Sequence, residues 1–218
     1  MKNKNIITVR NLIKCLDIKS LRNPEVVANL ARTFGIVQWG LPVFGDEEIF
    51  KNASEDMAGI YQTPTQIAPA LVYLSHFKID SYLEIGVFQG GNFIFTSEYL
   101  KRFNPGIVCT GIDPTNFLNP EIKEIIESES YLNFAQLTSY DVVGKEFDLV
   151  FIDGDHSTEW INADFENVGK YADICMFHDI QETSCPDAVE YWKNSKKDSS
   201  IEFIHCTTKS PLQGIGIL

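Results

Sequence analysis

The chain has 218 residues, of which 44% are hydrophobic and 22% charged, with a formal net charge of −12 and a pI of about 4.7. This composition predicts a soluble globular protein made of one large α/β domain, or of a domain plus an extension. The acidic excess argues against a general nucleic-acid binder, because such a protein needs a basic face.

Cysteine usage and the apolar runs indicate the compartment. The five cysteines are odd in number and form no CxxC pair, which favours a reduced, cytoplasmic setting. Arg10, Lys14 and Asp17 interrupt the apolar N-terminus, so no signal peptide is predicted. Residues 57–77 are broken by prolines and glutamines and do not read as a membrane span.

The first 76 residues are predicted to form an N-terminal helical extension or lid. Helical spacing indicates one helix over 26–34, starting near Asn23, and another over 65–77. Between them, 35–45 is an apolar loop punctuated by Gly and Pro, which we expect to close over or border the site at which the main domain binds its substrate. The aromatic residues of this region favour packing on the main domain, with a place in the lid as the alternative: Trp39, Phe44 and Phe50.

From residue 77 onward, short apolar runs alternate with amphipathic ones. Strands are predicted at 81–86, 107–113, 131–137, 147–153, 173–179, 201–207 and 214–218. Helices are predicted at 91–102, 119–129, 159–170 and 185–195. The alternation predicts an α/β domain over 77–218 with a doubly wound, mainly parallel, seven-stranded sheet.

Acidic residues and histidines stand where four of these strands end. In a doubly wound sheet, ligands bind beyond the carboxyl ends of the strands. Each residue alone is weak evidence, because Asp is common where strands become loops. Together on one edge they predict a site, formed by Glu84, Asp113, Asp153, Asp155, His156, His178 and Asp179.

The stretch LEIGVFQGGNF (83–93) is a strand, a glycine turn and a helix start. Gly86 and Gly90 permit close backbone approach, but the tight GxGxxG of dinucleotide sites is missing, which disfavours a pyrophosphate cradle. The acidic surroundings favour a cofactor with a cationic centre and a ribose. Asp113 stands at a suitable distance to accept hydrogen bonds from two ribose hydroxyls. The alternative is a turn that only packs a helix on a sheet.

These motifs resemble a known family. The pattern Glu84-x-Gly86-x-x-x-Gly90, followed by GID (111–113), is similar to the cofactor half of class I S-adenosylmethionine-dependent methyltransferases. FDLVFIDGDHSTEWINADFE (147–166) and ICMFHDI (174–180) resemble the catechol-O-methyltransferase-like and cephalosporin-hydroxylase-like small-molecule enzymes. The resemblance covers roughly 60–218 and implies a Rossmann-like fold.

The resemblance implies roles for matching residues on the cofactor side. Glu84, Gly86 and Gly90 would line the methionine and ribose part of S-adenosylmethionine, and Asp113 would hold the ribose hydroxyls. Ser139 falls where these enzymes contact the adenine, and its neighbour Tyr140 could pack on the ring.

On the acceptor side, the resemblance implies a divalent metal, Mg²⁺ or Mn²⁺, bound by Asp153, His178 and Asp179. His156, three residues after the first acid, would be the base that deprotonates the acceptor hydroxyl. Asp155 would be a further ligand or would orient His156. The His-Asp pair departs from the carboxylate-rich pairs usual for Mg²⁺, which leaves the metal's identity open. The alternative is that Asp153 and Asp155 cap the following helix.

The sequence therefore predicts a methyltransferase that O-methylates a small hydroxylated molecule, such as a sugar or a secondary metabolite. Neither a nucleic acid nor a membrane is an expected partner, and the oligomeric state stays open. Two alternatives remain: a metal-dependent hydrolase that uses the same edge, and a non-catalytic S-adenosylmethionine-binding module.

Overall fold

The computed structural model describes residues 4–35, 60–182, 184–204 and 213–218. Its α-helices are α1 (Lys4–Cys15), α2 (Ile18–Leu21), α3 (Pro24–Phe34), α4 (Pro64–Leu74), α5 (Gly91–Phe103), α6 (Pro120–Ser128), α7 (Thr158–Asn167) and α8 (Pro186–Ser195). Its strands are β1 (Ser81–Ile85), β2 (Val108–Ile112), β3 (Leu132–Ala135), β4 (Leu149–Ile152), β5 (Ile174–Phe177), β6 (Ile201–Phe203) and β7 (Ile215–Ile217).

The described strands form one seven-stranded sheet in the order β3-β2-β1-β4-β5-β7-β6. The pairs from β3 to β5 are parallel, whereas β7 runs antiparallel between β5 and β6. The strand order reverses between β1 and β4, the position at which doubly wound sheets bind ligands. The predicted fold class, a Rossmann-like and mainly parallel seven-stranded sheet, is confirmed.

Alternate residues of the central strands enter two different cores, because successive side chains point to opposite faces of a sheet. On one face, Tyr82 and Phe151 pack with α5 and α6. On the other, Leu83 and Val150 pack with α7 and α8. Both faces are thus covered, which explains why β4, Leu149–Ile152, is apolar at every position.

The described part of the N-terminal extension shares the first of these cores. Ile6 of α1, Phe34 of α3 and Leu71 of α4 are completely buried in it. Arg10 of α1 also forms ion pairs with Glu98 of α5 and with Glu129. Helices α1, α3 and α4 are therefore packed on the sheet domain through a continuous core.

Several predictions fall on residues outside the described ranges. They concern residues 36–45 of the predicted loop, the end of the predicted strand 201–207, and three aromatic side chains: Trp39, Phe44 and Phe50.

The predicted helix over 159–170 is one turn shorter in the structure. Helix α7 ends at Asn167, and a short 3₁₀ turn, Gly169–Tyr171, follows. At Gly169 a Cβ atom would lie 2.9 Å from the Phe165 ring and 3.0 Å from Cys175 Sγ. The backbone at Gly169 thus lies against the Phe165 and Cys175 side chains, and the helix ends just before it. The hydrophobic periodicity of the sequence does not reveal such a close approach.

Among the described residues, none of the helices combines the length and the apolar composition that crossing a bilayer would require.

Candidate active site

A cavity of about 780 Å³ opens at the carboxyl ends of β1, β2, β4 and β5. All seven of the polar residues predicted at this edge line it. It also receives residues from the segment before α4, from α7 and from the loop after β5. The topology thus brings together residues that are up to 152 positions apart in the sequence, Tyr61 and Gln213.

The glycine turn after β1 lets two loops of the cavity wall touch. Gly86 and Gly90 both have a φ of +88°, a conformation that favours glycine. A Cβ at Gly86 would lie 2.2 Å from the backbone oxygen of Asp153, and one at Gly90 would lie 2.5 Å from the Ile122 side chain. Gly86 therefore fixes the distance between the glycine turn and the loop that carries Asp153.

We expect Gly86→Ala to lower the free energy of unfolding by more than Gly144→Ala does. Gly144 also has a positive φ, of +70°, but a Cβ there would meet no atom within 4 Å. Its substitution costs only backbone strain, about 1–2 kcal/mol. Gly86→Ala adds a clash with backbone, which cannot rotate away. Urea unfolding of both variants measures the difference, and equal costs would contradict the close approach.

Glu84 is 1% exposed and lies at the back of the cavity. Its Oε2 accepts hydrogen bonds from the Tyr82 hydroxyl and, at 3.2 Å, from Asn92 Nδ2. Burial raises the pKa of Glu84 to about 8. The site thus keeps a carboxyl group that a nearby positive charge would ionise.

Asp113 follows β2 and orders the rim of the cavity. Its Oδ2 accepts a hydrogen bond from the backbone N–H of Phe88 at 3.0 Å, and its Oδ1 accepts one from Thr115 N–H at 2.9 Å. Each carboxylate oxygen has a second lone pair, so Asp113 retains capacity to accept from a ligand.

The pocket continues past Asp113 to the side of α7. Ser139 is completely buried there, and its hydroxyl contacts Asn167 Nδ2 at 3.2 Å and Asp164. Burial raises the pKa of Asp164 to about 6. Tyr140, by contrast, is 59% exposed and does not line the cavity. Its ring packs edge-on against Trp160, which does line it.

At the other end of the cavity, Asp153, His156, His178 and Asp179 converge. One potential ligand atom from each lies within 4.8 Å of the others. His178 Nδ1 lies 2.8 Å from Asp153 Oδ1 and 3.3 Å from Asp179 Oδ1. His156 Nε2 lies 2.9 Å from Asp179 Oδ2 and 3.9 Å from Asp153 Oδ1.

The charges in this cluster depend on one another. The carboxylates of Asp153 and Asp179 raise the pKa of His156 to about 10. Burial alone would lower the pKa of His178, but the same two carboxylates hold it well above its ordinary value. Burial would likewise raise the pKa of Asp179, yet the two imidazoles bring it far below the usual range. When no metal ion is bound, a proton on each of the two imidazoles therefore balances the negative charges of the two carboxylates.

Asp155 does not join this cluster. Its Oδ1 accepts a hydrogen bond from Ser157 N–H at 2.8 Å, in the turn before α7, and this bond lowers the pKa of Asp155. Of the two carboxylates in IDGDH, one therefore faces the cluster and the other stabilises the turn.

Comparison with known proteins decides what kind of domain this is. Residues 83–180 match a protein-family model described as a methyltransferase domain. The chain carries a class I S-adenosylmethionine-dependent methyltransferase domain. The resemblance noted from Glu84-x-Gly86-x-x-x-Gly90 and from FDLVFIDGDH is confirmed. A search of curated proteins gave no match.

Solved structures share the fold of this methyltransferase at low identity. The O-methyltransferase from Bacillus cereus, in complex with S-adenosylhomocysteine, is 12% identical with a TM-score of 0.52, covering 93% of this chain and 91% of its own. The N-methyltransferase NodS from Bradyrhizobium japonicum WM9, in complex with the same compound, is 13% identical with a TM-score of 0.52 and coverages of 76% and 92%. At these identities the likeness concerns the fold.

Several residues of the methyltransferase cavity were not predicted from the sequence, among them three buried polar residues. Gln62, 1% exposed, donates from Nε2 to Asp153 Oδ2 at 2.8 Å. Since 91 positions separate the two residues, periodicity carries no signal for this contact. Asn92 was missed too, in the first turn of α5. Asp164 could have been predicted, because it is an acidic residue on the buried face of a predicted helix.

The side chains present fit a divalent cation. Two cis ligands with bonds of about 2.1 Å lie roughly 3 Å apart, close to the separations of His178 Nδ1 from the two carboxylates. Asp179 Oδ1 is buried and has no hydrogen-bond partner among the described residues. A divalent ion would also supply the two positive charges that the extra protons otherwise supply.

Proposed function

We propose that this methyltransferase transfers the methyl group of S-adenosylmethionine to a hydroxyl of a small molecule, such as a sugar or a secondary metabolite. The observation that carries the proposal is a single cavity with two chemically different ends. One end has the glycine turn and Asp113, and the other has the cluster of Asp153, His156, His178 and Asp179.

The first end suits the cofactor. Gly86, Gly90 and Glu84 line it and would border the methionine part, and Asp113 would accept hydrogen bonds from the ribose. Ser139 lines the cavity and would lie beside the adenine ring. Tyr140 would affect adenine binding only indirectly, through its ring contact with Trp160.

Asp113→Ala should weaken binding of S-adenosylhomocysteine by about 1–3 kcal/mol, because a charged acceptor for the ribose hydroxyls is lost. Calorimetry measures this directly. Asp113→Asn keeps one carbonyl oxygen as an acceptor for a backbone N–H, so it separates loop ordering from ligand contact. A folded Asp113→Ala protein with unchanged affinity would contradict the assigned role.

The second end suits the acceptor. Methyl transfer is an in-line displacement, and a neutral hydroxyl is a poor nucleophile until it loses its proton. A divalent cation held by Asp153, His178 and Asp179 would lower the pKa of the acceptor hydroxyl. His156, which is 36% exposed at the cavity, is placed to take the proton.

Release of S-adenosylhomocysteine in the presence of catechols, phenols and monosaccharides tests the function. We expect turnover with a hydroxylated compound when Mg²⁺ or Mn²⁺ is added, and its loss on chelation. Calorimetry with S-adenosylmethionine on the same preparation is a separate test. Absence of cofactor binding by folded protein would refute the proposal as a whole, and full activity after exhaustive chelation would refute its metal part.

A further inference from the structure

The side chain of Gln62 leaves an unpartnered hydrogen-bond acceptor in the wall of the cavity. Gln62 is 1% exposed and lines the cavity, and its Nε2 donates to Asp153 Oδ2 at 2.8 Å. Because a carboxylate only accepts hydrogen bonds, the NH₂ group must face Asp153, which fixes the position of the amide oxygen. This oxygen, Oε1, is buried and has no hydrogen-bond partner among the described residues.

One side chain holds the backbone on both sides of Gln62. Gln213 Nε2 donates to the carbonyl oxygen of Tyr61 at 3.0 Å, and Gln213 Oε1 accepts from Thr63 Oγ1 at 2.6 Å. The backbone N–H of Gln213 also donates to Glu182 Oε2 at 3.0 Å, which joins this segment to the loop after β5. Gln62 is therefore fixed before any ligand binds, so a ligand that reaches Oε1 needs to order little of the protein.

Two observations indicate which ligand group meets Oε1. The amide lies against Asp153, at the end of the cavity that the proposed function gives to the methyl acceptor. The hydroxyl that is methylated gives up its proton, so it has no hydrogen to donate to Oε1. The donor must therefore be a second polar group of the same molecule. Without such a group Oε1 stays unpartnered, which is unfavourable for a buried acceptor.

We propose that Gln62 is a specificity-determining residue, whose Oε1 accepts a hydrogen bond from a second donor beside the hydroxyl that is methylated. The preferred acceptors are then molecules with two neighbouring donors, a vicinal diol being the simplest. This inference rests on the proposed transfer to a hydroxyl and adds a requirement on the substrate. A site built to bind such a donor discriminates strongly against an analogue that lacks it.

Paired acceptors test this requirement. Catechol is compared with phenol, and vicinal cyclohexanediol with cyclohexanol, because the members of each pair differ in one neighbouring hydroxyl. In at least one pair, kcat/KM with the wild-type protein should be higher for the diol. Gln62→Met, which keeps the length of the side chain but has no amide, should reduce the ratio of the two kcat/KM values by at least about tenfold. Changes in cofactor binding, metal binding or proton transfer affect both members of a pair and cancel in this ratio.

Gln62→Lys separates the contact with the acceptor from the contact with Asp153. Lysine has N–H donors for Asp153 Oδ2 but no acceptor atom, so the ratio should fall as it does in Gln62→Met. Gln136→Met is the matched control and should keep the wild-type ratio, because Gln136 is exposed and does not line the cavity. Calorimetry should show unchanged affinity for S-adenosylhomocysteine in Gln62→Met.

A wild-type ratio in folded Gln62→Met or Gln62→Lys would overturn the inference. A large loss of affinity for S-adenosylhomocysteine would overturn it as well, because Oε1 would then be a contact of the cofactor. Equal rates within each pair, or methylation only of compounds without a second donor, would refute the requirement while leaving the proposed O-methyl transfer intact. If protein that binds S-adenosylmethionine methylates no hydroxylated compound, the proposed function fails and the inference fails with it.

Discussion

Asp179→Asn is expected to abolish most turnover while leaving the affinity for S-adenosylmethionine unchanged. Asp179 has a φ of +56°, and Asn tolerates that conformation, so the variant removes charge without adding backbone strain. Changes in the outer shell of a metal site already cost 10–100-fold in affinity. Loss of a charged ligand should therefore lower the affinity for Mn²⁺ by more than about 10²-fold.

Asp155→Asn is the matched control for this variant. It removes a carboxylate at the same edge of the sheet, but one that accepts from Ser157 N–H rather than facing the cluster. Calorimetric titration with Mn²⁺ should give wild-type affinity for Asp155→Asn. Equal losses in the two variants would mean that total negative charge attracts the ion, and not the particular position of Asp179.

His156→Ala is expected to lower kcat by about 10²–10⁴-fold, the usual contribution of a positioned general base. The imidazole is partly exposed at the cavity, and its Nε2 lies 2.9 Å from Asp179 Oδ2, whereas Asp179 Oδ1 is the oxygen beside His178. Its removal should therefore leave Mn²⁺ and cofactor affinity in place. Steady-state kinetics with the best acceptor from the hydroxylated panel give kcat.

His76→Ala is the control for the loss of an imidazole. His76 is exposed and does not line the cavity, so its substitution should leave kcat unchanged. Undiminished kcat in His156→Ala would rule out the base role. A large loss of Mn²⁺ affinity in that variant would instead make His156 a ligand.

The strand pattern predicted both the fold and the edge that carries the site. Runs such as FDLVFID are apolar throughout because both faces of β4 are covered, and a sheet built from such strands is mainly parallel. Parallel strands bring their carboxyl ends to one edge, so Asp113, Asp153 and His178 could be placed together without coordinates. Element boundaries were less accurate, by one to three residues at most ends, because caps and close approaches such as Gly169 decide where an element ends.

Sequence alone could not distinguish the functions of neighbouring residues. Asp153 and Asp155 are the same residue type two positions apart in IDGDH. Asp153 faces the cluster, however, whereas Asp155 stabilises a turn. Ser139 and Tyr140 are adjacent, yet one is buried in the cavity wall and the other lies 59% exposed outside it. In irregular turns the direction of a side chain follows from local dihedral angles, for which the sequence carries no fixed period.

By itself, the sequence determined the class of fold, the methyltransferase domain and the group of acidic and imidazole residues at one sheet edge, because periodicity and chain order suffice for these. Only the tertiary structure decided that Gln62 donates to Asp153 Oδ2, and that His178 Nδ1 lies between Oδ1 of Asp153 and Oδ1 of Asp179. Gln62 comes from the segment before α4, far from these residues in the chain. Such a contact depends on how α4 packs against the sheet, and that packing is a property of the whole core.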